Sequence, residues 1–181
     1  MNEKIKGLRT IALRPIDCSP NHIKQFINII LDGGEVPIEN LKRGIPTAEM
    51  LFFTGTPGKL MGVSAVRYPN AKYSKHLFEH AGVPQMYNPL SVEVCWLCVL
   101  PEYRGKGVWG NNRKVRLDYL GNRPYHAIHR VENEEVGEPI KSLNYNQAGS
   151  DFHSDLSDDK LRLIVHNHDP VLDKSKRLQY L

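Results

Sequence analysis

The stretch Val94-Cys95-Trp96-Leu97-Cys98-Val99-Leu100-Pro101-Glu102-Tyr103-Arg104-Gly105-Lys106-Gly107-Val108-Trp109-Gly110 decides the fold. The apolar run Ser91–Leu100 reads as a central strand buried on both faces. A turn with three glycines follows, then a helix from Gly107 to Leu120 ended by Gly121. Glycines let backbone approach a ligand closely, and the first N–H groups of a helix have no partner inside it. Those groups sit at the positive end of the helix dipole, where phosphate oxygens are the natural occupants. Arg104 and Lys106 add positive charge there. A glycine-rich turn also occurs with no ligand, so the pattern must be narrowed. The loop Gly-x-x-x-x-Gly-Lys-Ser/Thr is absent, because Asn111 and Asn112 follow Gly110. Gly105, Gly107 and Gly110 come close to the dinucleotide pattern Gly-x-Gly-x-x-Gly. No acidic residue ends a following strand about 20 residues on, where that fold places its ribose contact.

Outward from this segment the chain reads as mixed α and β. Leu8–Ile16 alternates loosely as a first strand. Ser19 caps a helix whose face carries Ile23, Phe26, Ile27 and Ile30, with Pro20 at its first position and Gly33-Gly34 after it. A short helical piece spans Ile38–Lys42. Met50–Thr54 and Lys59–Arg67 flank Gly55-Thr56-Pro57-Gly58 as a hairpin. Pro69–Leu90 shows no sustained period and reads as a functional loop with a short helix near His76–His80. Tyr125–Val131 is a strand and Glu134–Leu143 helix-like, where Pro139 sits in the first turn or breaks it. Strands near Ala148–His153 and Leu161–His166 close a last hairpin around Ser157-Asp158-Asp159.

The 181 residues suit one domain, 1–181, and 40% hydrophobic with 24% charged residues excludes fibrous and disordered chains. No run approaches the ~18 apolar residues of a membrane span, and the first residues lack the apolar core of a signal peptide. Three cysteines make no disulfide framework, so a reducing, cytoplasmic setting is expected. The net charge of +4 is uninformative as a total. Residues 101–120 hold five basic side chains against two acids, and residues 131–160 hold eight acids against two lysines. The first surplus suits an anionic ligand and the second a cationic one, or both are merely solvated faces.

Val99-Leu100-Pro101-Glu102-Tyr103-Arg104-Gly105-Lys106-Gly107-Val108 resembles the acetyl-coenzyme A signature of the GNAT N-acetyltransferases, Gln/Arg-x-x-Gly-x-Gly/Ala after a strand ending in valine. More weakly, the order of elements over roughly 8–155 is similar to that family's fold. The resemblance implies a single α/β (α+β) domain with a mixed, mostly antiparallel sheet flanked by helices and splayed central strands. It implies acetyl transfer from acetyl-CoA to a primary amine by direct attack in a ternary complex. Leu97 and Val99 would pair with the pantetheine arm through their backbone. The amides of Arg104, Gly105, Lys106, Gly107, Val108, Trp109 and Gly110 would hold the pyrophosphate, and Asn133 would lie near the coenzyme. Glu93 falls where some members keep a general base, since an attacking ammonium must lose a proton; a solvent-facing strand-end carboxylate is the equal alternative. Trp109 stands where the signature has Gly or Ala, so Gly110 takes that role or the site is altered. Ile140 stands where the family often has a catalytic tyrosine, leaving Tyr145 as substitute acid by proximity in sequence. Asn111, Asn112 and Arg113 make the first turn of the helix unusually polar.

Other signals point elsewhere only weakly. In a regular strand the sulfurs of Cys95-x-x-Cys98 face opposite ways, so two small buried hydrophobes are expected rather than a redox or zinc pair. His166 with His168, and Asp151 with His153 and Asp155, share strand faces that could bind metal, but a polar hairpin face is the expectation. His76 and His80 share a helix face without an identifiable third ligand, so no metal is expected. The acceptor is an amine, cationic if the acidic segment faces it. The alternative is a catalytically degenerate module of the same fold recognising CoA, a protein or nucleic acid. A nucleic-acid partner through the basic 104–116 segment ranks last, for want of interleaved aromatics. No membrane partner is expected, and the oligomeric state stays open, a homodimer included.

Overall fold

The computed structural model describes residues 4–34, 36–132, 146–155 and 157–168. These form four α-helices and eight strands, arranged in two units. One contains the chain up to Arg67 together with Val94–Gly121, and the other Tyr68–Glu93 together with the residues from Asn122 on.

In the first unit the loose alternation at the start of the chain becomes strand β1, Arg9–Leu13. Ser19 then caps α1, Pro20–Asp32: its side chain accepts from the His22 N–H while the His22 ring accepts from the Ser19 N–H. Such a cap contributes about 1 kcal/mol. α2, Ile38–Gly44, follows. The hairpin is β2, Met50–Thr56, and β3, Lys59–Arg67, antiparallel with a bulge at Thr54/Gly55; β1 is antiparallel to β2. Alternation gives this sheet two different faces. Leu51, Phe53, Val63 and Ala65 pack with Phe26, Ile29 and Ile30 of α1 and Leu41 of α2. On the other face, Phe52, Thr54 and Ser64 meet α4, Val108–Leu120.

β4, Val92–Val99, carries the chain from the second unit into the first. It is not buried on both faces throughout: Val92, Glu93 and Val94 are buried, and the rest is half-buried. Its pairing with β5 covers only Val92 and Glu93, and beyond it Trp96, with φ of 53°, puts a bulky residue in the left-handed region. Its ring is anchored edge-on to Phe26 at 6.2 Å and under the Arg67 guanidinium at 5.2 Å. This break resets the alternation, so Cys95 and Cys98 both pack on the first unit's core instead of diverging. They are thiols, with the Cys98 Sγ donating to the Ile29 carbonyl at 3.2 Å.

In the second unit, β5, Tyr125–Arg130, is antiparallel to β8, Lys160–His166, which also pairs with β6, Asn146–Gln147, and β7, Phe152–His153. β4 joins β5 in parallel through Val92–Tyr125 and Glu93–His126. The sheet pairings are therefore mixed and mostly antiparallel, as the resemblance implied. In the segment expected as a loop with a short helix near His76–His80, the helix is longer: α3 runs Ala71–His80, capped by the Asn70 side chain, with a 3-10 turn at Pro84–Met86. Leu77 and Phe78 of α3 pack with Phe152, Leu163 and Val165. Gly149 fixes this docking: its φ is 69°, and a Cβ there would fall 1.9 Å from the Ala81 carbonyl oxygen. The helix expected at Glu134–Leu143, and with it Asn133, Ile140 and Tyr145, lies outside the described residues.

Candidate active site

α4 opens on the turn that carries the signature. Pro101–Tyr103 forms a 3-10 turn, Gly105 has φ 70°, and Gly107 caps the helix at φ 92°. Two left-handed residues two apart explain why glycine stands at both positions. The first bond at the helix start runs from the Asn111 N–H to the Gly107 carbonyl. The N–H groups of Val108, Trp109 and Gly110 therefore precede the ladder, at the positive end of α4. Gly110 is exposed, and a Cβ built on it would meet nothing within 4 Å. Among the described residues nothing accepts from these N–H groups, so bare backbone with open donors lies at the positive end of α4. Two of the expected donors are already used: the Arg104 N–H bonds the Pro101 carbonyl and the Lys106 N–H the Tyr103 carbonyl. The Arg104 Nε donates to the Val99 carbonyl at 3.2 Å, tying the turn to the end of β4.

Trp109 is half-buried, with its ring 5.5 Å from the Arg113 guanidinium and its indole nitrogen buried without an acceptor among the described residues. The open position belongs to Gly110, next along the helix. Leu97 and Val99 lie in the half-buried part of β4, beyond the Trp96 break. β3 approaches this end closely: the Leu100 N–H bonds the Met61 carbonyl at 3.0 Å, and a Cβ on Gly62 would sit 2.9 Å from Val108.

The polar first turn of α4 has a structural reason. Asn112 and Arg116 are buried, as are Thr54 and Ser64 on the sheet. The Asn112 Oδ1 accepts from the Ser64 hydroxyl at 2.7 Å and from Arg116 at 3.1 Å, and its amide donates to Thr54 at 3.0 Å. The Thr10 hydroxyl donates to the Asn111 Oδ1 at 2.7 Å. Its single proton is thereby used, so in the Thr10–Thr54 bond of 2.7 Å the donor is Thr54. A proton-ordered ladder, Asn112 to Thr54 to Thr10 to Asn111, fixes α4 on the sheet. Tyr119, further along α4, donates to Glu49. The basic residues of this helix are likewise committed: Arg116 is buried, Lys114 pairs with Asp118 at 2.8 Å, and Arg113 lies against Trp109.

Within the second unit, Glu93 is 2% exposed, which removes the solvent-facing alternative. Its Oε1 accepts from the Tyr73 hydroxyl at 3.2 Å. Tyr73 lies on α3, N-terminal to the short helix expected near His76–His80, and nothing local marks it as a partner 20 residues away. An open hollow of about 700 Å³ runs along Asn70, Lys72, Tyr73, Lys75, His76 and Glu79. On β5, His126 is also buried, its Nδ1 sharing a 2.9 Å bond with the Ser91 hydroxyl. Three aspartates of the acidic segment, all among the described residues, are engaged by the chain itself. Asp151 makes a two-pronged pair with Arg162 at 2.8 and 2.7 Å, which holds its carboxyl below the usual range. Asp159 pairs with Arg130 at 3.1 Å and Asp155 with His76 at 3.0 Å. His166 lies against the Tyr125 ring and His168 stacks on Phe78.

No family model and no curated protein matches the sequence. Solved structures do match in shape. An acyl-CoA N-acyltransferase from Pseudomonas aeruginosa superposes with a TM-score of 0.65 at 8% identity, over 88% of this chain and 99% of that one. Arabidopsis thaliana NAA60 in complex with acetyl-CoA gives 0.64 at 12% identity, over 88% and 97%. The spermidine/spermine N-acetyltransferase SpeG from Vibrio cholerae, in complex with manganese ions, gives 0.58 at 16% identity, over 96% of each chain. With its element order, its mixed sheet pairings and these superpositions, the chain has the fold of the GNAT-type acetyltransferases.

Proposed function

We propose that the chain, acting as one domain over 1–181, is an N-acetyltransferase that moves acetyl from acetyl-CoA to a primary amine by direct attack in a ternary complex. The observation that carries this reading is the start of α4, where the N–H groups of Val108 to Gly110 are unspent and Gly110 leaves open space beside them. Bound there, acetyl-CoA supplies an activated thioester. The residues present fit its diphosphate: backbone donors at a helix N-terminus, with Gly105 and Gly107 shaping the turn. Lys106 adds charge, and Arg104 braces the turn on Val99. The backbone of Leu97 and Val99 is assigned the pantetheine arm and polarisation of the thioester carbonyl. Asn133 is assigned a place near the coenzyme on its sequence position alone.

Glu93 is assigned removal of the ammonium proton, so that the amine lone pair is available to attack the carbonyl carbon as the C–S bond breaks. Tyr73, donating to Oε1, orients the carboxylate that is assigned this role. On sequence grounds Tyr145 supplies a proton to the departing thiolate. No covalent enzyme intermediate is needed. Because three aspartates of the acidic segment are paired internally, the acceptor's charge is not argued from that segment; a primary amine is the class proposed.

The test is thiol release from acetyl-CoA over a panel of primary amines, neutral and cationic. Turnover is expected with at least one, and Glu93→Gln is expected to lower kcat by about 10²–10⁴-fold with little change in KM for acetyl-CoA. Full activity in that variant would remove Glu93 from the mechanism. A second reading, a module that binds the coenzyme without transfer, is favoured by Trp109 at the signature's small position. Binding without thiol release across the panel would select it.

A further inference from the structure

Outside the proposed transfer site, three side chains that the sequence could not connect converge on one point. His76 and His80 stand one turn apart on α3, their ring centroids 3.9 Å apart. Between their nitrogens lies the carboxylate of Asp155, which follows β7. Its Oδ2 is 3.0 Å from the His76 Nε2 and its Oδ1 3.9 Å from the His80 Nδ1. One donor atom from each residue lies within 4.8 Å of the other two. We propose that His76, His80 and Asp155 form a binding site for a divalent transition metal of the zinc, nickel or copper type.

Zinc is held at about 2.0–2.2 Å by nitrogen and oxygen donors, which in a tetrahedral site lie roughly 3.3–3.5 Å from one another. The present spacing needs a contraction of up to about 1.5 Å, within reach of side chains that are between a third and two-thirds exposed. The backbones that carry them are already fixed. α3 is docked on its core through Leu77 and Phe78, and the turn holding Asp155 is closed by the Ser154 N–H on the Asp159 carbonyl at 2.9 Å. The His80 ring is backed edge-on by Phe152 at 5.8 Å. On the other nitrogen of His76, Nδ1, the Glu79 carboxylate stands at 3.9 Å. Without a metal the Nε2–H donates to Asp155; once an ion displaces that proton, Glu79 is placed to receive the Nδ1–H, the usual arrangement behind a metal-bound histidine. Two imidazoles and one carboxylate select borderline metals over magnesium and calcium, which prefer all-oxygen sites. Three protein ligands leave a position for water, and a bound ion would staple α3 to the turn after β7.

The experiment is calorimetric titration of the untagged full-length chain with Zn²⁺, with Mg²⁺ as control, alongside His76→Ala/His80→Ala and Asp155→Asn. One Zn²⁺ per chain and no Mg²⁺ uptake are expected. Asp155→Asn should weaken zinc by about 10–100-fold, as losses around a metal centre typically do, and the double variant should lose the site. All three side chains are exposed enough that the variants should melt like wild type in chelator, while Zn²⁺ raises the Tm of wild type only. With Co²⁺, a weak d–d spectrum without a sulfur-to-cobalt band is expected. Unchanged zinc affinity in either variant, a sulfur-to-cobalt band, or no uptake by wild type would overturn the proposal.

Discussion

Asn112 shows how one side chain can make a polar helix compatible with a buried seat. Its amide satisfies Ser64, Thr54 and Arg116 together. Asn112→Leu would keep the volume but leave the Ser64 donor and the Thr54 acceptor buried and unserved, at about 1–3 kcal/mol for each. Urea unfolding of that variant should show a loss in this range; a change below about 0.5 kcal/mol would mean the ladder does not hold α4. From the sequence, the same residue reads only as a departure from an apolar helix face. Its partners lie 48 and 58 residues away, so only tertiary structure supplies the reason. Glu93 is the converse case. Its strand position was legible, but its burial and its Tyr73 partner were not, because both depend on α3. Tyr73→Phe should therefore lower kcat less than Glu93→Gln while leaving the acetyl-CoA KM unchanged, a split that steady-state kinetics resolves.

At the scale of the element, α1, the β2–β3 hairpin and α4 were legible because their caps and turns agree with their periodicity. α3 was legible only in part, since its buried face is Ser74, Leu77 and Phe78 amid histidines and lysines. The break in β4 was hidden as well: a left-handed Trp96 contradicts local preference and persists through its contacts with Phe26 and Arg67. The turn into α4 makes the sharper prediction. Gly107 sits at φ 92° with no closer neighbour to a Cβ than Leu8 at 3.7 Å, so Gly107→Ala meets a conformational cost rather than a clash. That cost is about 1–2 kcal/mol. The variant should stay folded but bind coenzyme A more weakly, which calorimetry would register; unaltered affinity would detach the turn from the ligand.

For the molecule as a whole, stability should report its titrating groups in two separate pH windows. Burial pushes the His129 imidazole below its ordinary value, with Arg162 nearby adding to the effect. Its Nδ1–H donates to the Arg130 carbonyl at 2.9 Å, and its Nε2 is buried with no partner among the described residues, so the folded chain favours the neutral ring. Between that depressed pKa and the ordinary value near 6.5 the unfolded chain binds more protons, so stability falls as pH drops through this interval. The Asp151–Arg162 pair acts lower: its contribution is full above the ordinary carboxylate pKa of about 4 and is lost as pH falls through the depressed value. The urea midpoint should thus be level from pH 8 to 7 and decline below about 6.5, and His129→Gln should flatten that first decline. A profile identical in the variant would remove His129 as its source.

Coenzyme binding at the start of α4 is the proposal on which the functional reading of this GNAT-type fold rests. Calorimetric titration of the wild-type chain with acetyl-CoA tests it most directly. Saturable binding of one acetyl-CoA per chain is the predicted result, and no detectable heat at millimolar acetyl-CoA would contradict the account.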